Sequence, residues 1–547
     1  MPNEPRGAAP PVALALSLLM LWACALSAAP ASPAAGETLY RRGQLPSGEA
    51  VQAVRPGGGP TVRGADAACV NCHRRSGLGS SEGQITIPPI AGPYLFVPRG
   101  KSLEQRGVPF VDTERVNHEA YTDESLARAI REGVGANEKT LNYLMPRYQI
   151  DEAAMAELIG YLKDIKVSPS PGVSTSVLHF ATIITPDADP VKRRGMLDVM
   201  NQYFVDKNNA VARTKAPTLY SSHTMMFRVE RRWQLHVWQL SGEPATWEAQ
   251  LRQYLASQPV FAVISGLGGS VWEPVHRFCE AQALPCLFPN VEAPVGHDSD
   301  FYSVYFSRGV LLEAQLIARE LADAREPIRR LVQVFRAGDV GEQAARTLQA
   351  AHMDSAPQIV NRVLNAHAAS RDLDAALREV GPTDALVLWL RPQDLKALAT
   401  VPVTTSRVWM SGELGGLEQA PLPASWRVVA RMAYPVDLPG QRVVRVDYAL
   451  GWFRIRKIPV VAQQVQVDTY LACGLVSETL NHMVDAFVRD YLIERVEMAL
   501  DHRVLTGYYP RLTLAPGQRF ASKGGYIVRF SDPQGTKVAP LGEWITP

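Results

Sequence analysis

The 547-residue sequence is poor in cysteine and has almost no excess of either charge. Six cysteines are too few for a disulfide-built scaffold of this length. The 56 basic and 54 acidic residues leave a formal charge of +2, without the basic excess typical of nucleic-acid binders, so no nucleic-acid partner is predicted. The sequence also lacks a Ser-His-Asp constellation, a P-loop and a carboxylate pair with a definable role. We therefore predict no catalytic residues. With 46% hydrophobic residues, the chain can form two or more folded cores.

Long apolar runs are equally scarce. One lies near the N-terminus, from Pro11 to about Ala29, after Arg6 and before a series of small residues. This order is typical of a secretory signal peptide, so we assign residues 1–36 to an export leader and the mature chain to the periplasm. Because roughly 20 apolar residues can also span a bilayer, an uncleaved N-terminal membrane anchor is the alternative.

A turn-rich segment at residues 168–172 divides the mature chain. We predict a first domain at 37–167, a linker at 168–176 and a second domain at 177–547. In the second domain apolar strands alternate with amphipathic helices, which predicts parallel α/β sheets. The predicted strands lie at 180–184, 235–238, 260–264, 286–288, 331–335 and 385–389, and the predicted helices at 151–165, 192–207, 247–257 and 272–282.

The pentapeptide Cys69-Val70-Asn71-Cys72-His73 has the C-x-x-C-H spacing of a covalent c-type haem site. Two thiols one helical turn apart can each add to a haem vinyl group, and the histidine that follows can bind the iron. A structural zinc site is an alternative, but it needs two more ligands. His118 is the only other histidine or cysteine in this domain. A thioredoxin-like pair is disfavoured because the motif lies in a loop-rich region.

Residues Glu37 to about Lys166 resemble the class I c-type cytochromes. Beyond the haem motif, the resemblance rests on Gly77-Leu78-Gly79, on Ile87-Pro88-Pro89-Ile90-Ala91-Gly92 and on Leu144-Met145-Pro146-Arg147-Tyr148 before a C-terminal helix. It implies a small all-α domain that carries one covalent haem c.

The same resemblance implies roles for individual residues. The loop at Pro88 and Pro89 offers a carbonyl to the ring N–H of His73, which orients the ring and raises its basicity. Met145 is the expected sixth iron ligand. An ordinary core methionine is the alternative, and His118 is a rival ligand. A haem with methionine and histidine ligands has no open coordination position, which favours electron transfer over oxygen chemistry.

Three arginines, Arg74, Arg75 and Arg147, lie close in sequence to these ligands. They predict either a cationic docking rim for a periplasmic redox partner protein or an ordinary solvated surface.

The second domain resembles the periplasmic ligand-binding proteins of the leucine/amide-binding type, which serve ABC importers. The resemblance rests on Phe180-Ala181-Thr182, Val260–Gly266, Pro285–Asn290 and Pro510–Arg519. It implies a bilobal α/β fold that closes over a small-molecule solute. One lobe would use about 177–305 plus the C-terminal part, and the other about 310–435.

Ligands of such folds lie beyond the carboxyl ends of the strands, often at helix N-termini. The loop from Ser265 to Ser270 is therefore the first candidate solute site. Its alternative is a glycine-rich turn in which Ser270 caps the next helix. The weaker candidates follow other strand ends and are Asn290, Tyr305, Asp339 and Arg391.

Two cysteines, Cys279 and Cys286, lie at a helix end and a strand start. In an oxidising compartment they can pair as a disulfide, and two separately buried thiols are the alternative. Cys473, in an apolar pattern, is expected in a core.

Three functions remain open at this point. The leading one is a periplasmic monohaem cytochrome that carries electrons and has an attached domain for a solute or a docking partner. The second is transport, in which the binding domain delivers an amino-acid-like solute to an ABC permease and the haem regulates. The third, a haem-linked oxidoreductase, lacks a second cofactor motif and a catalytic base.

Overall fold

The computed structural model describes residues 35–83, 85–97, 119–165, 167–213, 231–297, 299–324, 328–351, 357–365, 370–417, 421–483 and 486–547. The apolar run of the predicted leader and His118 lie outside these residues. Within them, no helix combines the length and the hydropathy needed to cross a membrane.

The N-terminal unit is mainly helical but also contains short strands. Strands β2, β1 and β5 form an antiparallel sheet, and β3 pairs with β4 in a hairpin. The expectation of an all-α domain is therefore corrected, because residues 147–149 pair with 52–54 across the unit. The helices are α1 (Ala35–Arg42), α2 (Val70–His73), α3 (Gly92–Leu95), α4 (Asp123–Glu132) and α5 (Glu152–Asp164), and the strands are β1 (Gln52–Val54), β2 (Thr61–Arg63), β3 (Ser80–Glu82), β4 (Ile85–Ile87) and β5 (Arg147–Gln149).

Local sequence sets the ends of the helices that frame this unit. Helix α4 begins at a capping box formed by Thr122 and Ser125 and ends at Gly133, whose positive φ of 75° suits glycine. Helix α5 begins after Asp151, which accepts a hydrogen bond from Ala154 N–H. Its buried face packs into the core of the unit.

The first lobe of the second unit is built on a parallel sheet in the order β10-β9-β8-β6-β7. Its strands are β6 (Val177–Ile184), β7 (Arg232–Gln239), β8 (Ala262–Ile264), β9 (Cys286–Leu287) and β10 (Ser303–Val304), with helices α6 (Pro190–Arg213), α7 (Trp247–Ser257) and α8 (Glu273–Ala281).

The second lobe has a sheet in the order β12-β11-β13-β14-β15-β16-β17, parallel through β15 and antiparallel at its last two strands. Its strands are β11 (Arg330–Arg336), β12 (Gln358–Leu364), β13 (Ala385–Trp389), β14 (Val408–Ser411), β15 (Ala430–Tyr434), β16 (Tyr526–Phe530) and β17 (Val538–Pro540). Its helices are α9 (Val310–Ala322), α10 (Val340–Ala350), α11 (Ser370–Arg378), α12 (Pro392–Ala397), α13 (Gly412–Gly415) and α14 (Ala424–Arg427).

The C-terminal part is shared between the two lobes. Helix α16 (Gln463–Met483) packs on α6 of the first lobe, between α15 (Pro439–Arg456) and α17 (Arg489–Asp501). Residue Phe520 also bridges to Tyr305 of the first lobe. Strands β16 and β17, in contrast, extend the sheet of the second lobe. The expected assignment of the whole C-terminal part to the first lobe is corrected for these two strands.

The N-terminal unit packs directly on the second unit. Leu78, Ala91 and Tyr94 belong to the same continuous apolar core as Phe180 and Leu492. The connecting segment is held in place as well, since Ser170 N–H donates to Phe487 O at 2.9 Å and Ser170 Oγ accepts from Arg489 N–H at 3.1 Å. The two units therefore have little freedom to move apart.

Candidate functional site

The C-x-x-C-H motif forms one helical turn in which the histidine is fixed. Helix α2 carries Cys72 and His73, and Cys69 stands at its N-cap. The His73 ring is 7% exposed, and its Nδ1 lies 3.1 Å from Pro88 O. Burial lowers the pKa of His73 to about 4, against the opposing effect of the Pro88 carbonyl, so the imidazole is neutral at physiological pH. Among the described residues none hydrogen-bonds to its Nε2.

The predicted role of the proline loop therefore has a structural counterpart at Pro88. Gly79, at φ +82°, brings the backbone so close to the loop that a Cβ there would lie 2.2 Å from Ile87 O. The neighbouring β3–β4 hairpin holds the Pro88 carbonyl toward His73. Pro89 is buried beside it.

Met145 lies on a short turn whose backbone is fixed by Arg147. Arg147 donates from Nη1 to Met145 O at 2.5 Å and from Nη2 to Leu141 O at 3.4 Å. The half-buried Met145 side chain packs against the same apolar core as the half-buried Cys69 and Val70. Its role as an iron ligand stays a prediction.

This donor set is chemically suited to a covalent haem. It offers two thiols one helical turn apart and a neutral imidazole with one nitrogen committed to a carbonyl. This is the arrangement that orients a histidine for a metal. His118, the further ligand that the zinc alternative would use, lies outside the described residues.

Arg74 and Arg75 face the chain's own second unit. Arg74 pairs with Glu497 of α17, and Arg75 Nε lies 3.3 Å from Asp490 Oδ2 of the same helix. Arg147 binds backbone carbonyls, as described above. Both predictions, a docking rim and a solvated surface, are therefore corrected for Arg74 and Arg75. For the half-buried Arg147 they stay predictions.

Two of the predicted solute-site residues meet between the lobes. Arg391, after β13, donates from Nε to Asp339 Oδ2 at 2.8 Å, and its Nη2 lies 2.8 Å from Glu292 Oε2. Asp339 caps α10 in the second lobe, whereas Glu292 follows β9 in the first. Lys192 of α6 adds a second cation 3.6 Å from Glu292 Oε1. Burial lowers the pKa of Arg391, but the bonds to both carboxylates outweigh it and raise that pKa.

An accessible carboxylate completes this set, and we call Lys192, Glu292, Asp339, Arg391 and Glu413 the interlobe cluster. Glu413 follows β14, and its side chain is exposed. The pKa of Glu413 is nevertheless well above its ordinary value. Surrounding protein removes much of its water, and three acidic neighbours repel its charge while Lys192 attracts it. The acidic neighbours are Glu313, Glu292 and Asp468.

Asp468 of α16 adds a buried acid near Glu413. Its side chain is 5% exposed, and burial raises its pKa to about 7. Oδ2 accepts from Tyr509 Oη at 3.3 Å, and Tyr509, Arg442 and Gln464 each oppose the effect of burial on this pKa. The region between the lobes therefore has more acidic than basic groups.

The loop from Ser265 to Ser270 does not have the geometry predicted for an anion site. Ser270 N–H donates to Asp187 Oδ2 at 2.9 Å and Gly269 N–H donates to Thr185 Oγ1 at 3.1 Å, so the chain's own groups occupy these donors. Ser270 is not a helix cap either, because α8 begins at Glu273 after Trp272. It instead accepts from Gln343 Nε2 of the second lobe at 3.3 Å.

Of the remaining candidates, Ser265 and Tyr305 lie in the interior, whereas Asn290 is half-buried. Ser265 is fully buried and contacts Asn290 Nδ2 at 3.0 Å and Thr469 Oγ1 at 2.8 Å. Tyr305 is 1% exposed, and its hydroxyl lies 3.0 Å from His276 Nδ1. Burial leaves Ser265 and Tyr305 no accessible side chain with which to line the cleft.

The two cysteines of the predicted disulfide are neighbouring free thiols. Cys279 and Cys286 are both buried and not bonded to each other, and the thiols form a hydrogen bond. Their pairing under oxidising conditions stays a prediction. Cys473 is buried, as expected.

The sequence did not single out Lys192, Glu292 or Glu413. Glu292 follows the strand-exit residue Asn290 by two positions, and Glu413 comes two residues after the end of β14. The rule that ligands lie beyond strand ends would have included Glu413 if β14 had been predicted.

No protein-family model matches the chain, and no curated protein matches its sequence. Solved structures with a similar fold include several substrate-binding proteins. The fatty acid ABC transporter substrate-binding protein from Thermomonospora curvata has 16% identity and a TM-score of 0.48, over 70% of this chain and 95% of that one. A substrate-binding periplasmic protein from Ralstonia solanacearum has 13% sequence identity and a TM-score of 0.49, over 66% of this chain and 99% of that one. The branched-chain amino acid transporter substrate binding protein LivJ from Streptococcus pneumoniae, in complex with isoleucine, has 11% sequence identity and a TM-score of 0.47. The match covers 68% of this chain and 100% of that one. The two-lobed α/β assignment made here rests on the strand orders given above.

Proposed function

We propose that this chain is an exported solute-binding protein whose lobes hold a small molecule bearing an ammonium group at the interlobe cluster. The supporting observation is Glu413, an accessible carboxylate that lies among the acidic groups Glu313, Glu292 and Asp468, which help to raise its pKa. An ammonium group placed there neutralises charge that Lys192 offsets only in part. An amino-acid-like solute meets this requirement, and its delivery to an ABC permease follows from the same interpretation.

Calorimetric titration of the full chain tests this proposal. The probes are leucine and two analogues that each lack one of its charged groups. Isopentylamine lacks the carboxylate, and 4-methylpentanoate lacks the amine. Ammonium-bearing probes are expected to bind, more tightly as rising pH ionises Glu413. Glu413→Gln is expected to weaken them at least tenfold, whereas Glu248→Gln, in an exposed pair with Arg252 on α7, leaves them unchanged. Equal binding to Glu413→Gln, or preference for the acids without an amine, contradicts the proposal.

We further propose that Cys69 and Cys72 would bind one haem covalently and that His73 and Met145 would hold its iron. Bound haem would supply one-electron transfer at this position. The protein's part is to keep the imidazole neutral, to orient it through the Pro88 carbonyl and to shield it by burial. Protein matured in a periplasm should keep its haem stain through denaturing electrophoresis. Cys69→Ala plus Cys72→Ala should lose the stain and Cys473→Ala should keep it. A wild-type protein without retained haem would end this proposal.

Electron transfer to a periplasmic redox partner protein is the second candidate function. It is favoured by the histidine and methionine donor set and not by the interlobe cluster. A redox titration of the holoprotein with and without a bound amine separates the two functions. A potential that no solute changes would favour an electron carrier with a tethered lobe pair, and a shifted potential would favour a solute sensor.

A further inference from the structure

Helix α8 of the first lobe carries two metal-binding side chains one turn apart, His276 and Glu280. A third, Asp300, stands on the segment that leads into β10. One ligand atom from each lies within 4.8 Å of the others. The side chains of His276 and Asp300 are 2% and 7% exposed, and Glu280 is half-buried.

The His276 ring has one nitrogen without a partner. Its Nδ1 lies 3.0 Å from the Tyr305 hydroxyl. Its Nε2 is buried and lies 3.1 Å from Asp300 Oδ2, but not in a direction that makes a hydrogen bond. Two ligand atoms that each bind a tetrahedral zinc at about 2.0 Å are roughly 3.3 Å apart. The separation of Nε2 and Oδ2 therefore matches two atoms that share a cation.

His276 balances the charge of Asp300 only when it is protonated. Among the described residues, neither Glu280 nor Asp300 has an ion pair with lysine or arginine. Asp300 accepts from His297 N–H, and Glu280 accepts only from backbone N–H groups, which position a carboxylate without neutralising it. The donors to Glu280 are Phe301 at 2.9 Å, Tyr302 at 3.0 and 3.2 Å and Ser303 at 2.7 Å. A buried and a half-buried carboxylate beside a buried imidazole are surroundings that a divalent cation stabilises.

We propose that His276, Glu280 and Asp300 bind a Zn²⁺ ion. One imidazole nitrogen with two carboxylates is a zinc donor set, whereas calcium and magnesium sites use oxygen ligands. The ion would tie α8 to the segment before β10, and Phe301 of that segment lies 4.5 Å beneath the Arg75 guanidinium of the haem-motif region. The proposal depends on neither the solute nor the haem.

The test uses the full-length holoprotein, freed of loosely bound metal with a chelator and titrated with zinc chloride. Wild type is expected to bind one Zn²⁺ per chain, counted separately from iron by elemental analysis, and to unfold at a higher temperature when zinc is present. His276→Gln and Asp300→Asn are each expected to bind zinc at least tenfold more weakly and to lose the thermal shift.

A matched control is available in the same lobe. His236 Nε2 lies 3.0 Å from His179 Nδ1, and among the described residues this histidine pair belongs to no group of three metal-binding side chains, so His236→Gln should keep both the zinc and the thermal shift. If either test variant fails to fold by circular dichroism, cobalt substitution of wild type replaces it. Intense visible bands of a four-coordinate cobalt site would support the proposal, and their absence would overturn it. Three further outcomes would overturn the proposal. They are zinc retained by folded His276→Gln, zinc lost in His236→Gln, and zinc lost only with Cys69→Ala plus Cys72→Ala.

Discussion

Ser76, three residues beyond His73, donates two hydrogen bonds to the carboxylate of Glu494 in α17. Its N–H lies 2.8 Å from Oε1 and its hydroxyl 2.6 Å from Oε2. The adjacent Arg74–Glu497 pair extends this contact along the same helix. The haem-motif segment is therefore anchored to the second unit at the residues that immediately follow the predicted iron ligand.

The first prediction concerns the pH dependence of stability. Burial raises the pKa of Glu494 from 4.5 to about 8, although Arg74 and the bonds from Ser76 act in the opposite direction. The folded state then holds this proton more tightly than the unfolded state does. The resulting stabilisation is complete below about pH 4.5 and is lost as the pH rises through 8.

Glu494→Gln should remove this part of the slope, so the melting temperature of the variant falls less than that of wild type between pH 5 and 8. Calorimetry of both proteins measures the difference. Glu313 and Asp468, with pKa values raised to about 8 and about 7 mainly by burial, keep their share of the slope in both. Parallel curves would show that Glu494 does not titrate in this range.

The second prediction concerns Glu497, which binds two arginines. It pairs with Arg74 and, at 2.5 Å, with Arg519, and the side chains of Glu497 and Arg519 are 4% and 2% exposed. Removing one partner of a buried pair leaves an uncompensated charge, so Glu497→Ala should cost about 3–5 kcal/mol in the free energy of unfolding. Arg74→Ala should cost less because Arg519 still neutralises Glu497.

Urea denaturation measures these costs, with Arg252→Ala as the control. Arg252 forms an exposed pair with Glu248 at i,i+4 spacing, which contributes about 0.3–0.5 kcal/mol. Equal effects of Glu497→Ala and Arg252→Ala would contradict the buried pairing.

The third prediction tests Met145 as the sixth ligand of the proposed haem. Met145→His should abolish the weak red absorption band of methionine-bound ferric haem and lower the midpoint potential, because thioether ligation favours the ferrous state. Spectroscopy and potentiometry report both changes. Met155→Leu, a volume-conserving change in the buried face of α5, should leave both unchanged. If Met145→Ala also leaves them unchanged, the ligand lies elsewhere and His118 becomes the residue to test.

The sequence predicted elements well where the pattern is local. The bounds of α7 and β13 agree with prediction, because a buried parallel strand appears as a continuous apolar run and a surface helix as a periodic one. Contacts between distant segments left no such pattern. Ser76 and Glu494 are 418 positions apart. Strands β15 and β16 are also distant in sequence, so no local pattern predicts that they pair.

The candidate site shows the same division. Arg391 and Asp339 were found because each follows a strand, but their bridge to Glu292 depends on how two separate sheets meet. Arg74 and Arg75 looked like surface residues because their acidic partners lie on α17, more than 400 positions further along the chain.

The last prediction concerns Gly172, in the segment that joins the two units. Its φ of +85° is a left-handed conformation that costs other residues about 1–2 kcal/mol. A Cβ at this position would also lie 2.2 Å from Phe261 N and Val260 C, which are backbone atoms of the first lobe. Gly172→Ala should therefore destabilise the protein by more than the conformational cost alone.

Gly160 supplies the opposite case. It lies in α5, and a Cβ there would meet no atom within 4 Å. Gly160→Ala should stabilise the protein by about 0.5–1 kcal/mol, the usual gain from replacing a glycine inside a helix. Urea denaturation of both variants should give changes of opposite sign. A neutral Gly172→Ala would mean that the connecting segment can move away from the first lobe, and the close packing of the two units would then need another cause.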